Sequence, residues 1–134
     1  MDSNINFMQF VQAIIKKMKK LKLTRLLRED RRARSLLRSF LAIPLLPHNM
    51  MHRAFFILVR LAFNQGLLYA LLSFLSYFWT TWMTGFRYHT LSVYGQYNRT
   101  NNACEAANCM LRRLTGPHHP SLWHFLSKFL ILFF

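Results

Sequence analysis

Acidic side chains are scarce in this sequence. Its 134 residues contain four Asp or Glu against 18 Lys or Arg, which gives a formal net charge of +14. Of the four acids, only Glu105 lies beyond residue 30. Hydrolases that use paired carboxylates as general acid and general base need more of these groups than the chain has to offer. The composition therefore argues against an independent hydrolase.

Cysteine is scarce as well. Cys104 and Cys109 are the only two, too few for a disulfide framework. The opening residues, Met-Asp-Ser-Asn, lack the basic segment that begins a secretory signal. Both observations predict a reducing compartment for this sequence.

Apolar residues, in contrast, are abundant. Hydrophobic residues make up 53% of the sequence and aromatic residues 16%. Disordered chains have too few such residues to form a core, so this chain is expected to bury a substantial apolar surface. Its length is typical of one domain.

Basic residues are concentrated near the N-terminus. Eleven of the 18 stand between residues 16 and 38, a segment we call the basic block. Such a density of like charge suits phosphates or an anionic membrane surface, whereas the plainer interpretation is a solvated helix face. The first nine of the eleven are the candidate nucleic-acid contacts. The block consists of Lys16, Lys17, Lys19, Lys20, Lys22, Arg25, Arg28, Arg31, Arg32, Arg34 and Arg38.

The spacing of apolar residues predicts helices in the first half of the chain. Intervals of four and three over residues 5–22 are typical of an amphipathic helix with lysines on its other face. A second helix is predicted over 24–42, ending before Pro44. The two prolines within 43–49 predict a turn.

The remaining segments are also predicted to be mainly helical. Asn49 is expected to cap a third helix that ends near Gln65. Gly66 is expected to break the chain before an apolar helix over 67–84, and 85–97 is predicted to be a loop or a short extended stretch.

Two more helices are predicted near the C-terminus, over about 103–114 and from Pro120 onward. The predicted fold class is thus all-α, with five or six helices in a single unit over 1–134. It divides into basic amphipathic helices within 1–42, apolar helices within 49–84 and a C-terminal part at 98–126.

Residues 66–83 form an uncharged run of 18 residues. At about 1.5 Å per residue a helix of this length covers roughly 27 Å, close to the thickness of the hydrocarbon core of a bilayer. A membrane span and a helix buried within a bundle have the same hydropathy, so both interpretations stay open.

Two tracts near the C-terminus resemble a known family. They are Arg99-Thr100-Asn101-Asn102-Ala103-Cys104-Glu105 and His119-Pro120-Ser121-Leu122-Trp123-His124-Phe125. Together they resemble the C-terminal part of Mutator-like (MULE) transposases and of proteins derived from them. Weaker similarity continues upstream at Gln12-Ala13-Ile14, at 41–47 and at 77–82, so that the resemblance covers roughly residues 9–126. Gln9 departs from the pattern, since the family often has a histidine there.

The resemblance implies an RNase H-like core in which three carboxylates hold two Mg²⁺ ions for strand cleavage and joining. Glu105 matches the third of these carboxylates. The sheet and both aspartate-bearing strands would precede residue 1, which leaves the helical insertion and the Glu-bearing helix. A chain without its core is expected to bind no Mg²⁺ of its own and to be catalytically inactive.

Glu105 has a second interpretation that needs no catalysis. Asn102 and Glu105 have the spacing of a capping box, in which each side chain bonds the other residue's backbone amide. A carboxylate in the first helical turn is also favoured by the helix dipole, by about 0.3–1 kcal/mol. Glu105 is therefore expected to be a vestigial catalytic residue that now caps a helix.

A zinc site is not expected. Cys104 and Cys109 are five residues apart, so on a helix their side chains point about 140° away from each other. His118, His119 and His124 fit a proline turn better than a ligand set. The tryptophans at 79, 82 and 123 are expected to be core anchors and not base-stacking platforms.

The sequence therefore predicts a truncated, transposase-derived protein that binds nucleic acid non-specifically in the nucleus. The missing transposase core would be its other partner. The alternative is a small cationic membrane protein that spans the bilayer at 66–83, with its basic arm on the cytoplasmic side. A decayed remnant without a selected function is the third interpretation.

Overall fold

The described part of the chain, residues 7–92 of a computed structural model, is all-α. This confirms the predicted fold class. Two short 3₁₀ turns, at Ile43–Leu45 and His48–Met50, separate the third α-helix from the fourth. The α-helices are α1 (Phe7–Lys20), α2 (Thr24–Glu29), α3 (Arg31–Ala42), α4 (Met51–Asn64), α5 (Leu68–Trp82) and α6 (Gly85–Leu91).

Aromatic rings form the centre of the core. Phe40 of α3 is fully buried, and its ring centroid lies 5.9 Å from that of Phe55, 5.6 Å from that of Phe74 and 5.2 Å from that of Phe78. This one side chain therefore joins α3 to both α4 and α5. Offset and edge-on aromatic pairs at such distances add to the stabilisation from burial.

The first helix packs on this core through its apolar stripe. Phe10 lies edge-on to Phe78 and to Trp82, with centroid distances of 5.9 and 5.0 Å. Trp82 is buried and Trp79 half-buried, which confirms that both are core residues. The predicted helix over 5–22 is confirmed in place, although it ends at Lys20.

The prediction of a single helix over 24–42 is wrong. The segment forms two helices, α2 and α3, which are divided at Asp30. This residue has extended backbone angles, φ −110° and ψ 112°. Its carboxylate accepts hydrogen bonds from the backbone amides of Arg32 (2.8 Å) and Ala33 (3.3 Å). Asp is a strong N-cap and a weak helix former, so ending α2 and starting α3 is favoured over continuing one helix.

The proline turn is confirmed, but Asn49 does not cap the third predicted helix. α4 begins at Met51, and its N-cap Met50 makes no side-chain capping bond. The backbone amide of Met50 donates instead to the carbonyl of Pro47, 2.9 Å away, which forms the 3₁₀ turn that leads into α4. Asn49 lies exposed on that turn.

Gly66 breaks the chain as predicted. It has φ +73°, a backbone conformation that favours glycine. The amide of Leu67 donates to the carbonyl of Ala62 (2.8 Å) and that of Gly66 to the carbonyl of Phe63 (3.1 Å), the pattern of a Schellman C-cap. The turn brings α4 and α5 together as a helical hairpin.

Residues 85–91 form α6, so the loop or extended stretch predicted from residue 85 is wrong over this part. Contacts distant in sequence hold the helix in place. The hydroxyl of Tyr88 donates to the carbonyl of His48 (3.2 Å), and that of Ser92 to the carbonyl of Leu46 (2.8 Å). Such long-range contacts override a weak local propensity.

The apolar run at 66–83 contains α5, which has 15 residues. Among residues 7–92, no helix has both the length and the apolar character that crossing a membrane requires.

Candidate nucleic-acid interface

Lysines line one side of α1, opposite its buried stripe. Lys16, Lys19 and Lys20 are exposed, while Phe10 and Ile14 are buried. Lys17 is half-buried, and its Nζ lies 4.9 Å from the centroid of the Tyr77 ring, within range of a cation–π interaction. Three of the four lysines of α1 are thus fully available to an anion in solution.

Lys22 connects α1 to α2 in an unusual backbone conformation. Its φ is +60°, the left-handed region, and it is the only residue other than glycine with positive φ in the described part of the chain. The amide of Leu23 donates to the carbonyl of Met18 and that of Lys22 to the carbonyl of Lys19, each at 3.0 Å. This is the same Schellman pattern that Gly66 forms, with lysine in the position that glycine prefers.

Replacing Lys22 with glycine is therefore expected to stabilise the fold. A side chain other than glycine loses about 1–2 kcal/mol in the left-handed conformation, and the greater freedom of glycine in the unfolded chain offsets about half of that. We expect Lys22→Gly to raise the free energy of unfolding by about 0.5–1 kcal/mol, measured by urea denaturation.

The matched control is Lys16→Gly, the same change at an exposed position within α1. It is expected to lower the free energy of unfolding by about 0.8–1 kcal/mol, the helix-interior penalty of glycine. Destabilisation by both variants would show that Lys22 does not hold the left-handed conformation.

The joint between α2 and α3 uses part of the basic block for structure. The Nη1 of Arg34 donates to the carbonyls of Leu27 (3.2 Å) and Arg28 (2.8 Å), at the end of α2. Asp30 caps the start of α3 and lies 3.7 Å from the Nε of Arg32. Arg34 therefore satisfies backbone carbonyls that the end of α2 leaves without helical partners.

Arg25 forms an exposed ion pair one helical turn along α2. Its Nε lies 3.0 Å from the Oε1 of Glu29, and both side chains are mostly exposed. Pairs of this kind contribute little to stability, so Arg25 keeps most of its capacity for a phosphate.

Arg38 is the member of the basic block that is not at the surface. It is 5% exposed, and its Nη2 is buried without a hydrogen-bond partner among residues 7–92. Burial, with a smaller contribution from Arg34, lowers the pKa of Arg38 to about 10, well below the usual value of an arginine. Arg38 therefore cannot serve as a surface contact for nucleic acid.

The remaining members are mostly exposed and have few acidic neighbours in the sequence. Between residues 7 and 92 the carboxylates are Glu29 and Asp30, and both lie within the block. Lys17 and Arg34 are half-buried. The exposed members are Lys16, Lys19, Lys20, Lys22, Arg25, Arg28, Arg31 and Arg32. We call these eight residues the basic surface, and eight of the nine candidate nucleic-acid contacts belong to it.

The other predicted site residues lie outside the described residues. These include Glu105 with its catalytic and capping interpretations, and the cysteines and histidines considered for zinc. Within 7–92, no group of three or more His, Cys, Asp or Glu side chains is arranged to hold a metal ion. The transposase-like motif residues outside the range are Arg99, Thr100, Asn101, Asn102, His119, Pro120 and Trp123.

A cluster of histidines and aromatic rings was not predicted from the sequence. The rings of His52 and Tyr88 stack in parallel, with centroids 4.1 Å apart, and His48 lies 4.3 Å from Tyr88. The Nε2 of His52 is 2.7 Å from the carbonyl oxygen of Met83. Burial raises the pKa of Tyr88. The cluster connects α6 to the start of α4. It could not be predicted from the sequence, because the pattern of residues 85–97 predicts a loop or a short extended stretch.

Comparison of the chain with models of protein families, with curated proteins and with solved structures found no match. What is established is the class, a strongly basic all-α protein over residues 7–92.

Proposed function

We propose that this protein binds nucleic acid through electrostatic contacts between its basic surface and backbone phosphates, without sequence preference. The observation that carries the proposal is the set of eight exposed cations on and between α1, α2 and α3, with two carboxylates among them. Phosphate contacts of this type supply most of the affinity of non-specific binding.

The proposal includes an origin from a Mutator-like transposase and a nuclear location. The support for this origin is the pair of tracts at 99–105 and 119–125. On this view Glu105 is the one match to the three catalytic carboxylates within residues 1–134, and the activity proposed for these residues is binding.

The test is the salt dependence of binding to duplex DNA. If about five cations contact phosphates, the logarithm of the affinity falls with the logarithm of salt concentration at a slope of about −4 to −5. In the variant Lys16→Ala/Lys19→Ala/Lys20→Ala we expect weaker binding to all sequences alike, with a slope flatter by up to about 3. Fluorescence anisotropy at several salt concentrations measures both quantities. Lys17 is kept because it contacts Tyr77.

The matched control is Arg53→Ala/Arg60→Ala/Arg87→Ala, which removes three exposed charges outside the basic block. It should leave the slope nearly unchanged if contacts are confined to the basic surface. Equal flattening in both triple variants, or an unchanged slope in the lysine variant, would contradict the proposal. Carbonate-resistant retention of the expressed chain in membranes would instead favour the single-span alternative.

A further inference from the structure

Exposed large hydrophobic side chains are confined to one part of the described structure. All six in the described range stand within 56–72, on α4 and α5. Tyr69 is 92% exposed and Phe63 66%. We call these six residues the hairpin face: Phe56, Ile57, Leu61, Phe63, Tyr69 and Leu72.

Four members of the hairpin face lie on α4 and two on the first turns of α5. Phe56, Arg60 and Phe63 follow one another at intervals of four and three, which places them on one side of the helix. Phe63 lies three residues before Gly66 and Tyr69 three residues after it, so two exposed aromatic rings flank the turn between the helices.

Cations accompany this apolar surface without any acid. Arg53 and Arg60 are exposed on α4, and no Asp or Glu occurs between residues 31 and 92. Large apolar side chains that are exposed together in one part of a structure mark an interaction site more often than singly scattered ones do. Its partner must accept both apolar side chains and positive charge.

The charges decide between the candidate partners. A second copy of the chain would bring arginines against arginines, since the face has no carboxylate to pair with them. Nucleic acid would pair with the arginines but offers little to Ile57, Leu61 and Leu72. An anionic bilayer surface satisfies both requirements, because aromatic rings favour the headgroup region and arginines bind lipid phosphates.

We propose that the hairpin face attaches the protein peripherally to a bilayer that contains anionic phospholipid. Phe56, Phe63 and Leu72 enter the boundary between headgroups and acyl chains, while Arg53 and Arg60 contact phosphates. The helices lie in the plane of the interface and do not span it. This surface is separate from the basic surface and does not depend on the nucleic-acid proposal.

The experiment is co-sedimentation of the full chain with vesicles of phosphatidylcholine alone and of phosphatidylcholine with phosphatidylglycerol. We expect binding to the mixed vesicles to be at least tenfold tighter. The variant Phe56→Ser/Phe63→Ser/Leu72→Ser keeps all charges and is expected to lose at least tenfold in affinity for the mixed vesicles. Its helix content, checked by circular dichroism, should be unchanged because the three side chains are exposed.

The lysine variant Lys16→Ala/Lys19→Ala/Lys20→Ala is the matched control and is expected to keep most of the vesicle binding. The opposite result, with binding lost in the lysine variant and kept in the serine variant, would overturn the proposal and assign lipid binding to the basic surface. A dimer detected by sedimentation that the serine variant abolishes would assign the face to a second copy.

A second measurement uses the fluorescence of Trp79. Trp79 lies beside Phe56, with ring centroids 5.3 Å apart, so brominated lipid should quench its fluorescence when the face enters the bilayer. The contribution of Trp79 is the difference between the unmodified chain and Trp79→Phe. Absence of quenching in that difference while the protein is bound would contradict attachment through the hairpin face.

Discussion

Truncating Phe40 to alanine is expected to lower the free energy of unfolding by about 3–5 kcal/mol. The ring is fully buried and contacts Phe55, Phe74 and Phe78, so its removal leaves a cavity between α3, α4 and α5. Because small domains are stable by only about 5–15 kcal/mol, this loss brings the variant close to unfolding. The urea midpoint of the helical circular dichroism signal measures the change.

The matched control is Phe63→Ala, the same truncation at a side chain that is 66% exposed. It is expected to change the free energy of unfolding by no more than about 0.5 kcal/mol. If the two variants were equally stable, Phe40 would not be the residue that joins α3 to the α4–α5 hairpin.

Periodicity and backbone restraints predicted much of the fold. The four-and-three spacing located α1, and the uncharged apolar run located α5. Two prolines predicted the turn after α3, and Gly66 predicted the break between α4 and α5. These signals are local, because each depends on residues within a few positions of one another.

The predictions of secondary structure were wrong where one local preference competes with another or with contacts distant in sequence. Asp30 is compatible with a helix by spacing, yet its capping bonds to the amides two and three residues later favour a break. α6 depends on Tyr88 and Ser92, whose partners His48 and Leu46 are 40 and 46 residues earlier in the chain. No window of neighbouring residues contains that information.

The sequence was sufficient to predict which residues carry the charge of the candidate interface, but not the backbone conformation or the hydrogen bonds of these residues. The sequence located the cations, and eight of them are exposed. It gave no indication that Lys22 adopts a positive φ in place of glycine, or that Arg34 bonds the end of α2. A signal for the burial of Arg38 was present, since it is the only charged residue within the apolar stretch 36–46.

Replacing Arg38 with methionine is expected to raise the free energy of unfolding by about 1–4 kcal/mol, the range found when well-packed apolar residues replace buried ion pairs. Only 5% of the Arg38 residue is exposed, and the Nη2 of its guanidinium is buried. Neither carboxylate among residues 7–92 reaches it, because Glu29 pairs with Arg25 and Asp30 caps α3. Methionine has a similar length and no charge to desolvate.

The pH dependence follows from the pKa of Arg38, which burial lowers to about 10 in the folded chain. Above about pH 10 the folded chain has released a proton that the unfolded chain still holds, so the contribution of Arg38 to the stability of the wild type rises with pH. The raised pKa of Tyr88 acts in the opposite direction, since above pH 10 the unfolded chain loses a proton that the folded chain keeps. Both proteins share the tyrosine contribution. It therefore cancels when the free energy of unfolding of Arg38→Met is compared with that of the wild type at each pH.

We therefore expect the stability advantage of Arg38→Met to be constant at neutral pH and to shrink as the pH rises through 10. The control Arg60→Met, at an exposed position on α4, should change the free energy of unfolding by no more than about 0.5 kcal/mol at any of these pH values. Destabilisation by Arg38→Met would show that the guanidinium has an anionic partner in the folded protein. In that case the charge is compensated, and removing it leaves the partner buried and unpaired.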